Sequence, residues 1–149
     1  MEIKECLKLR NEIINSSKNE EGVFTEEAFL SQVLPDLLEM KFVESEDIVF
    51  SYFKQDLNGI DLKINGYLIN ETGDRLQIFI LNENTTGLQV NEEDLLIKSK
   101  EVYNDQFKRG ETFVKKAINN YLELQDSDSA GFLVSKLKSA DFIDNLEVI

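Results

Sequence analysis

The stretch from Leu57 to Glu83, LNGIDLKINGYLINETGDRLQIFILNE, constrains the fold more than any other part of the chain. Ile60, Leu62 and Ile64 alternate with Asp61, Lys63 and Asn65. Successive strand side chains point to opposite faces, so this is the period of a half-buried strand. Gly66 interrupts the alternation, which predicts a bulge or a close backbone approach there. Tyr67-Leu68-Ile69 resumes the strand, and Glu71-Thr72-Gly73-Asp74 forms a turn in which Gly73 can take a positive φ. Leu76 to Leu81 is too apolar for an exposed strand and is expected at the centre of a sheet.

The flanks supply what covers that hairpin. Ile3, Cys6, Leu7, Leu9, Ile13 and Ile14 give an amphipathic helix over Glu2 to Ser17. Thr25 is placed to cap a second helix, with Glu26 and Glu27 at its positive end and a stripe running from Phe29 to Leu38. Pro35 inside that stripe either kinks the helix or opens a new turn. Ile48 to Lys54, rich in β-branched and aromatic residues, reads as a strand. Asn91, followed by Glu92, Glu93 and Asp94, caps a third helical stretch that Gly110 breaks or bends. Phe132 to Ala140 is a further helix, and Leu146 to Ile149 a closing strand.

The order is α, α, β, β, β, α, α, β. It predicts an α+β (or α/β) domain with a restriction-endonuclease-like order of elements: a three-stranded antiparallel meander and a further strand after a helical crossover, right-handed if that strand lies parallel in the same sheet, flanked by helices. At 149 residues a single domain spanning 1–149 is expected. The final strand is short and has no turn behind it. It is a frayed edge, or the chain is the N-terminal module of something longer; the second is the expectation.

Charge and composition exclude several chemistries. Sixteen basic residues against twenty-nine acidic leave −13, a field that repels phosphate backbones and anionic lipid. Nucleic acid and membrane are therefore disfavoured as partners. Lys108-Arg109 and Lys115-Lys116 read as a solvated helix face. The mixed charges of the N-terminus do not suit a signal peptide, and one cysteine cannot form an internal disulfide, so cytoplasm is expected. No histidine means no imidazole base and no histidine-ligated zinc. Cys6 on an apolar helical face reads as a small core residue. Among the carboxylates, Asp61, Glu71 and Glu83 lie on or beside the hairpin and are the weak metal-site alternative, since a hard cation takes oxygen ligands. Elsewhere no cofactor is expected.

The order helix, three-stranded meander, crossover, strand resembles the core of the restriction-endonuclease-like fold. The hairpin is similar to the N-terminal domain of AIPR proteins, a bacterial family linked to abortive phage infection. The matching residues are Ile64-Asn65-Gly66-Tyr67, then Asn70 to Asp74, then Leu76 to Leu81. Later matches are Phe113 to Ala117, the acidic serine stretch Asp126 to Ser129, and the closing strand, so the resemblance runs from Phe29 to the end. In nuclease-competent relatives the Asp of the motif holds a divalent metal, and an acid or Gln followed two residues on by Lys completes the site. The metal lowers the pKa of the attacking water, and the Lys stabilises developing charge. Here the Asp position is Asn65, and the next strand offers Phe79-Ile80-Leu81 or Ile80-Leu81-Asn82. The resemblance thus implies a degenerate site at Asn65, Ile80 and Asn82, no catalytic residues and no cofactor.

Three functions compete at this stage. The first is a non-catalytic nuclease-fold domain of a phage-defence protein, acting in assembly, sensing or partner binding. Its partner is another protein or the remainder of a longer chain, with homo-oligomers allowed. The second is a free-standing acidic DNA mimic that occupies a nucleic-acid-binding protein. The third is a divalent-metal nuclease built on Asp61, Glu71 and Glu83.

Overall fold

A computed structural model describes residues 2–57, 59–82, 90–95, 100–119, 122, 124, 130–139 and 144–149. In chain order these form α1 (Ile3–Ser16), α2 (Glu26–Glu39), β1 (Val49–Leu57), β2 (Ile60–Ile69), β3 (Arg75–Phe79), a short 3-10 turn (Glu93–Leu95), α3 (Lys100–Ile118), α4 (Gly131–Lys138) and β4 (Asn145–Val148). The chain divides into two compact units. One comprises Met1–Glu46 with Leu81–Ser99, the other Asp47–Ile80 with Lys100–Ile149. No helix among the described residues is long and apolar enough to cross a membrane.

In the first unit α1 packs on α2. Glu2 and Glu5 form a reciprocal capping box at the start of α1, with the Glu2 amide donating to Glu5 Oε2 at 2.8 Å. Thr25 caps α2 as expected, its Oγ1 accepting from the Ala28 amide at 3.2 Å. Pro35 lies within α2, which continues four residues beyond it to Glu39. The helix ends in a Schellman motif: the Phe42 amide donates to the Leu37 carbonyl at 2.9 Å and the Lys41 amide to that of Leu38 at 3.0 Å. Lys41 holds the left-handed position at φ 62°, where a Cβ is strained. Lys41→Gly is therefore expected to raise the stability of this unit by about 0.5–1 kcal/mol, the relief of strain less the entropy of glycine. Urea denaturation read by circular dichroism measures it.

Asn91 starts a turn, as the sequence suggests. Asn91 Oδ1 accepts from the Asp94 amide at 3.1 Å, and Asp94 Oδ2 accepts from the Asn91 amide at 2.8 Å. These bonds close a 3-10 turn over Glu93–Leu95, and α3 is described from Lys100 to Ile118.

The second unit holds one four-stranded sheet in the order β1-β2-β3-β4. The meander is antiparallel, and β4, reached through α3 and α4, lies parallel to β3. This is the topology expected from the element order. β4 is not frayed: the Ile149 amide donates to the Ile78 carbonyl at 2.8 Å, and Ile149 accepts from the Ile80 amide at 2.9 Å. Leu62, Ile64, Tyr67, Leu76 and Ile78 of the sheet share a core with Phe113, Val114 and Ala117 of α3 and Leu133, Val134 and Leu137 of α4. Phe53 lies against Phe113 with ring centroids 5.3 Å apart, a contact worth about 0.5–1.5 kcal/mol beyond its area.

The bulge expected at Gly66 falls instead on β1, one residue away in the register; Gly66 itself pairs with Phe50 and with Phe79. Phe50 pairs with Gly66 and Phe53 with Ile64, so Ser51 and Tyr52 together stand opposite Asn65. An extra residue on one strand bends it and disrupts the ladder locally. Leu62 and Ile64 before this point, and Tyr67 after it, join the same core although they differ in phase. Burial is unbroken from residue 62 to residue 67.

Gly110 does not break α3, which runs through it from Lys100 to Ile118. It is the place where the helix meets the sheet. A Cβ at this position would lie 2.6 Å from Ile80 Cδ1, 3.2 Å from Ile78 Cγ2 and 3.3 Å from Val148 Cγ1. The glycine reads as a helix breaker in sequence because its propensity cost is local, whereas its packing role depends on strands 30 or more residues away.

Candidate functional site

The structure does not gather the hairpin carboxylates. Asp61 is the second residue of β2, and Glu71 lies beyond its last residue, Ile69. The eight strand steps from Asp61 to Ile69 span about 26 Å at about 3.3 Å each. Magnesium–oxygen bonds are about 2 Å long, so one ion cannot bridge these two acids. Glu83 lies outside the described residues.

Asp61 has another role. Its Oδ2 lies 2.9 Å from Arg109 Nε on α3, with the arginine side chain 7 % exposed and the aspartate half exposed. Arg109 Nη1 also donates to Gln106 Oε1 at 2.9 Å. The reading of Lys108, Arg109, Lys115 and Lys116 as one solvated face is corrected here. Lys108 and Lys115 are exposed and pair along the helix with Asp105 and Glu111, but Arg109 turns to the sheet. A buried guanidinium needs a carboxylate, and Asp61 supplies it.

The degenerate motif occupies the middle of the sheet. Ile64 is fully buried, Asn65 is 5 % exposed and Tyr67 is buried; burial pushes the Tyr67 hydroxyl above its ordinary pKa. Gly66 faces Phe79 across the β2–β3 ladder. Ile80 follows the last residue of β3, and its Cδ1 sits over Gly110. Asn82 is half-buried. The motif positions themselves, Asn65, Ile80 and Asn82, hold no carboxylate. Among the described residues no three His, Cys, Asp or Glu side chains cluster to hold a metal.

Two polar groupings escaped the sequence reading. Lys63 is fully buried, lies opposite Lys54 in the β1–β2 register, and its Nζ stands 6.0 Å from the Tyr52 ring centroid. Its polar phase in the strand alternation pointed to solvent. Only its place on a strand with neighbours on both sides hinted otherwise. The second grouping joins β3 to β4: Arg75 Nε and Nη2 donate to Glu147 Oε1 and Oε2 at 3.0 and 2.8 Å, and Gln77 Nε2 donates to Oε2 at 3.0 Å. These bonds, first from Arg75 and then from Gln77, hold the Glu147 carboxyl below its ordinary pKa. At the β2–β3 turn, Asp74 Oδ1 accepts from Thr72 Oγ1 and Asn70 Nδ2, and its carboxyl is lowered for that reason.

The family model for the abortive infection phage resistance protein N-terminal domain matches residues 29–148. The chain belongs to this family. No curated protein and no solved structure matches it. The matched span begins inside α2, takes in the whole sheet with α3 and α4, and ends at the last residue of β4. Within the abortive infection domain so delimited lie the Asn65 motif, the Asp61–Arg109 pair and the Arg75–Glu147 clamp. Helix α1 lies outside the match.

Proposed function

We propose that this chain is a non-catalytic module of bacterial abortive infection phage resistance, with a restriction-endonuclease-like core, that acts by assembly, sensing or binding a protein partner. The family match supports the defence role. The observation that carries the non-catalytic reading is the pairing of Asp61. The one acid on β2 near the motif neutralises Arg109 at 2.9 Å, while Asn65 brings no charge to hold a cation. What remains is a platform whose work would be binding.

Purified protein incubated with Mg²⁺ or Mn²⁺ is expected to leave plasmid DNA and RNA intact, and calorimetry is expected to show no specific uptake of either ion. Metal-dependent cutting that disappears in Asp61→Ala or Glu71→Ala would overturn this reading.

A further inference from the structure

Asn65-Gly66 carries a chemistry of its own, separate from any ligand. In an unfolded chain the amide nitrogen of a glycine attacks the side-chain Cγ of a preceding asparagine. Ammonia leaves, a five-membered succinimide closes, and water opens the ring to aspartate or isoaspartate. Glycine favours this step because no Cβ restricts its backbone or crowds its nitrogen. The net change is asparagine plus water to an acid plus ammonia, so solvent is the only co-reactant.

The fold sets this dipeptide where the reaction is blocked. β2 has strand neighbours on both sides, and Gly66 pairs with Phe50 on β1 and with Phe79 on β3. Gly66 is buried, and Asn65 is 5 % exposed. An antiparallel strand holds ψ at about +135°, whereas ring closure requires Cγ and the next nitrogen to swing together. The Asn65–Gly66 peptide plane would have to turn out of the ladder, and the pairings on both sides would open. Opening of a central strand costs close to the whole stability of a domain.

Neither product fits back. Aspartate leaves a carboxylate where almost no solvent reaches it, which is costly. Isoaspartate inserts an extra carbon into the backbone of β2, and a strand paired on both sides with a side-chain period of two does not absorb it. We propose that Asn65-Gly66 is a modification site gated by unfolding: deamidation there is blocked in the native sheet, proceeds in the opened chain, and keeps the modified chain from refolding. Chemical change of the unfolded chain then turns a reversible opening into permanent loss. The inference does not depend on whether the domain is catalytic.

The test incubates the full chain at mildly alkaline pH, in buffer and in denaturing urea, and follows conversion by peptide mass spectrometry. The sequence holds a second Asn-Gly dipeptide, Asn58-Gly59, which reports the intrinsic chemistry in urea. There Asn65 should convert at a rate similar to Asn58. In buffer alone Asn65 should convert about a hundredfold more slowly than in urea, or slower still. After partial conversion in urea and dilution, modified Asn65 should be depleted about tenfold or more in the refolded fraction relative to the misfolded one. Asn65→Asp, made directly, should show a lower urea midpoint or fail to fold. Conversion in buffer at the urea rate, Asn65 inert in urea while Asn58 reacts, modified Asn65 spread evenly between the fractions, or an Asn65→Asp variant as stable as wild type would each overturn the proposal.

Discussion

Gly110→Val is expected to destabilise the second unit by about 2–3 kcal/mol, seen as a lower urea midpoint with an unchanged slope. A single Cβ already falls 2.6 Å from Ile80 Cδ1 and within 3.3 Å of Ile78 and Val148, and valine adds two methyl groups to that space. The alanine variant tests the argument more finely. Ala gains about 1 kcal/mol of helix propensity over Gly, while its contact with Ile80 involves the mobile end of a side chain. Gly110→Ala should then be close to neutral. Ile80→Val removes the clashing Cδ1 atom, so in the double variant the two changes should couple favourably by about 0.5–1 kcal/mol. If Gly110→Val leaves the midpoint untouched, α3 does not approach the sheet as described.

Asp61→Ala should cost about 2 kcal/mol. Stranding a fully buried charge costs about 3–5 kcal/mol, but Asp61 is half exposed, so water reaches the pair and the figure is discounted. Arg109→Met is expected to be much milder, since an apolar side chain of similar length needs no counter-charge. That asymmetry separates a structural aspartate from a metal-binding one. A ligand aspartate without its ion is repelled by its neighbours, and removing it leaves stability unchanged or improved. Chemical denaturation of the two variants side by side, without added metal, distinguishes the cases.

Much of the fold was legible because it rests on local periodicity. The alternation from Ile60 to Ile64, the turn at Gly73 and the stripe from Phe29 to Leu38 each encode an element in consecutive residues. The order of elements placed a strand after the helical crossover, and the structure sets it parallel to β3. What could not be read depends on partners distant in sequence. Lys63 has the polar phase of a solvent-facing residue, yet the central position of β2 buries it. Arg109 carries a charge in a basic helix run, and only Asp61, 48 residues earlier, shows why it points inward. Asn65 at the motif position was visible in the sequence, whereas the separation of Asp61 from Glu71 needed the length of β2. Glu83 and the serine-rich stretch from Asp126 to Ser129 lie outside the described residues.

The Arg75–Glu147 bonds join residues 72 positions apart, and this has a bearing on biogenesis. On the ribosome the meander emerges complete, while the strand that shields one side of β3 is still untranslated. Until it arrives, the flank of β3, with Leu76, Ile78 and Phe79, stands open to other nascent chains. Long-range pairing of this sort also slows folding. Slow synthesis, low temperature and chaperone supply should therefore improve the yield of this protein more than any change to its surface.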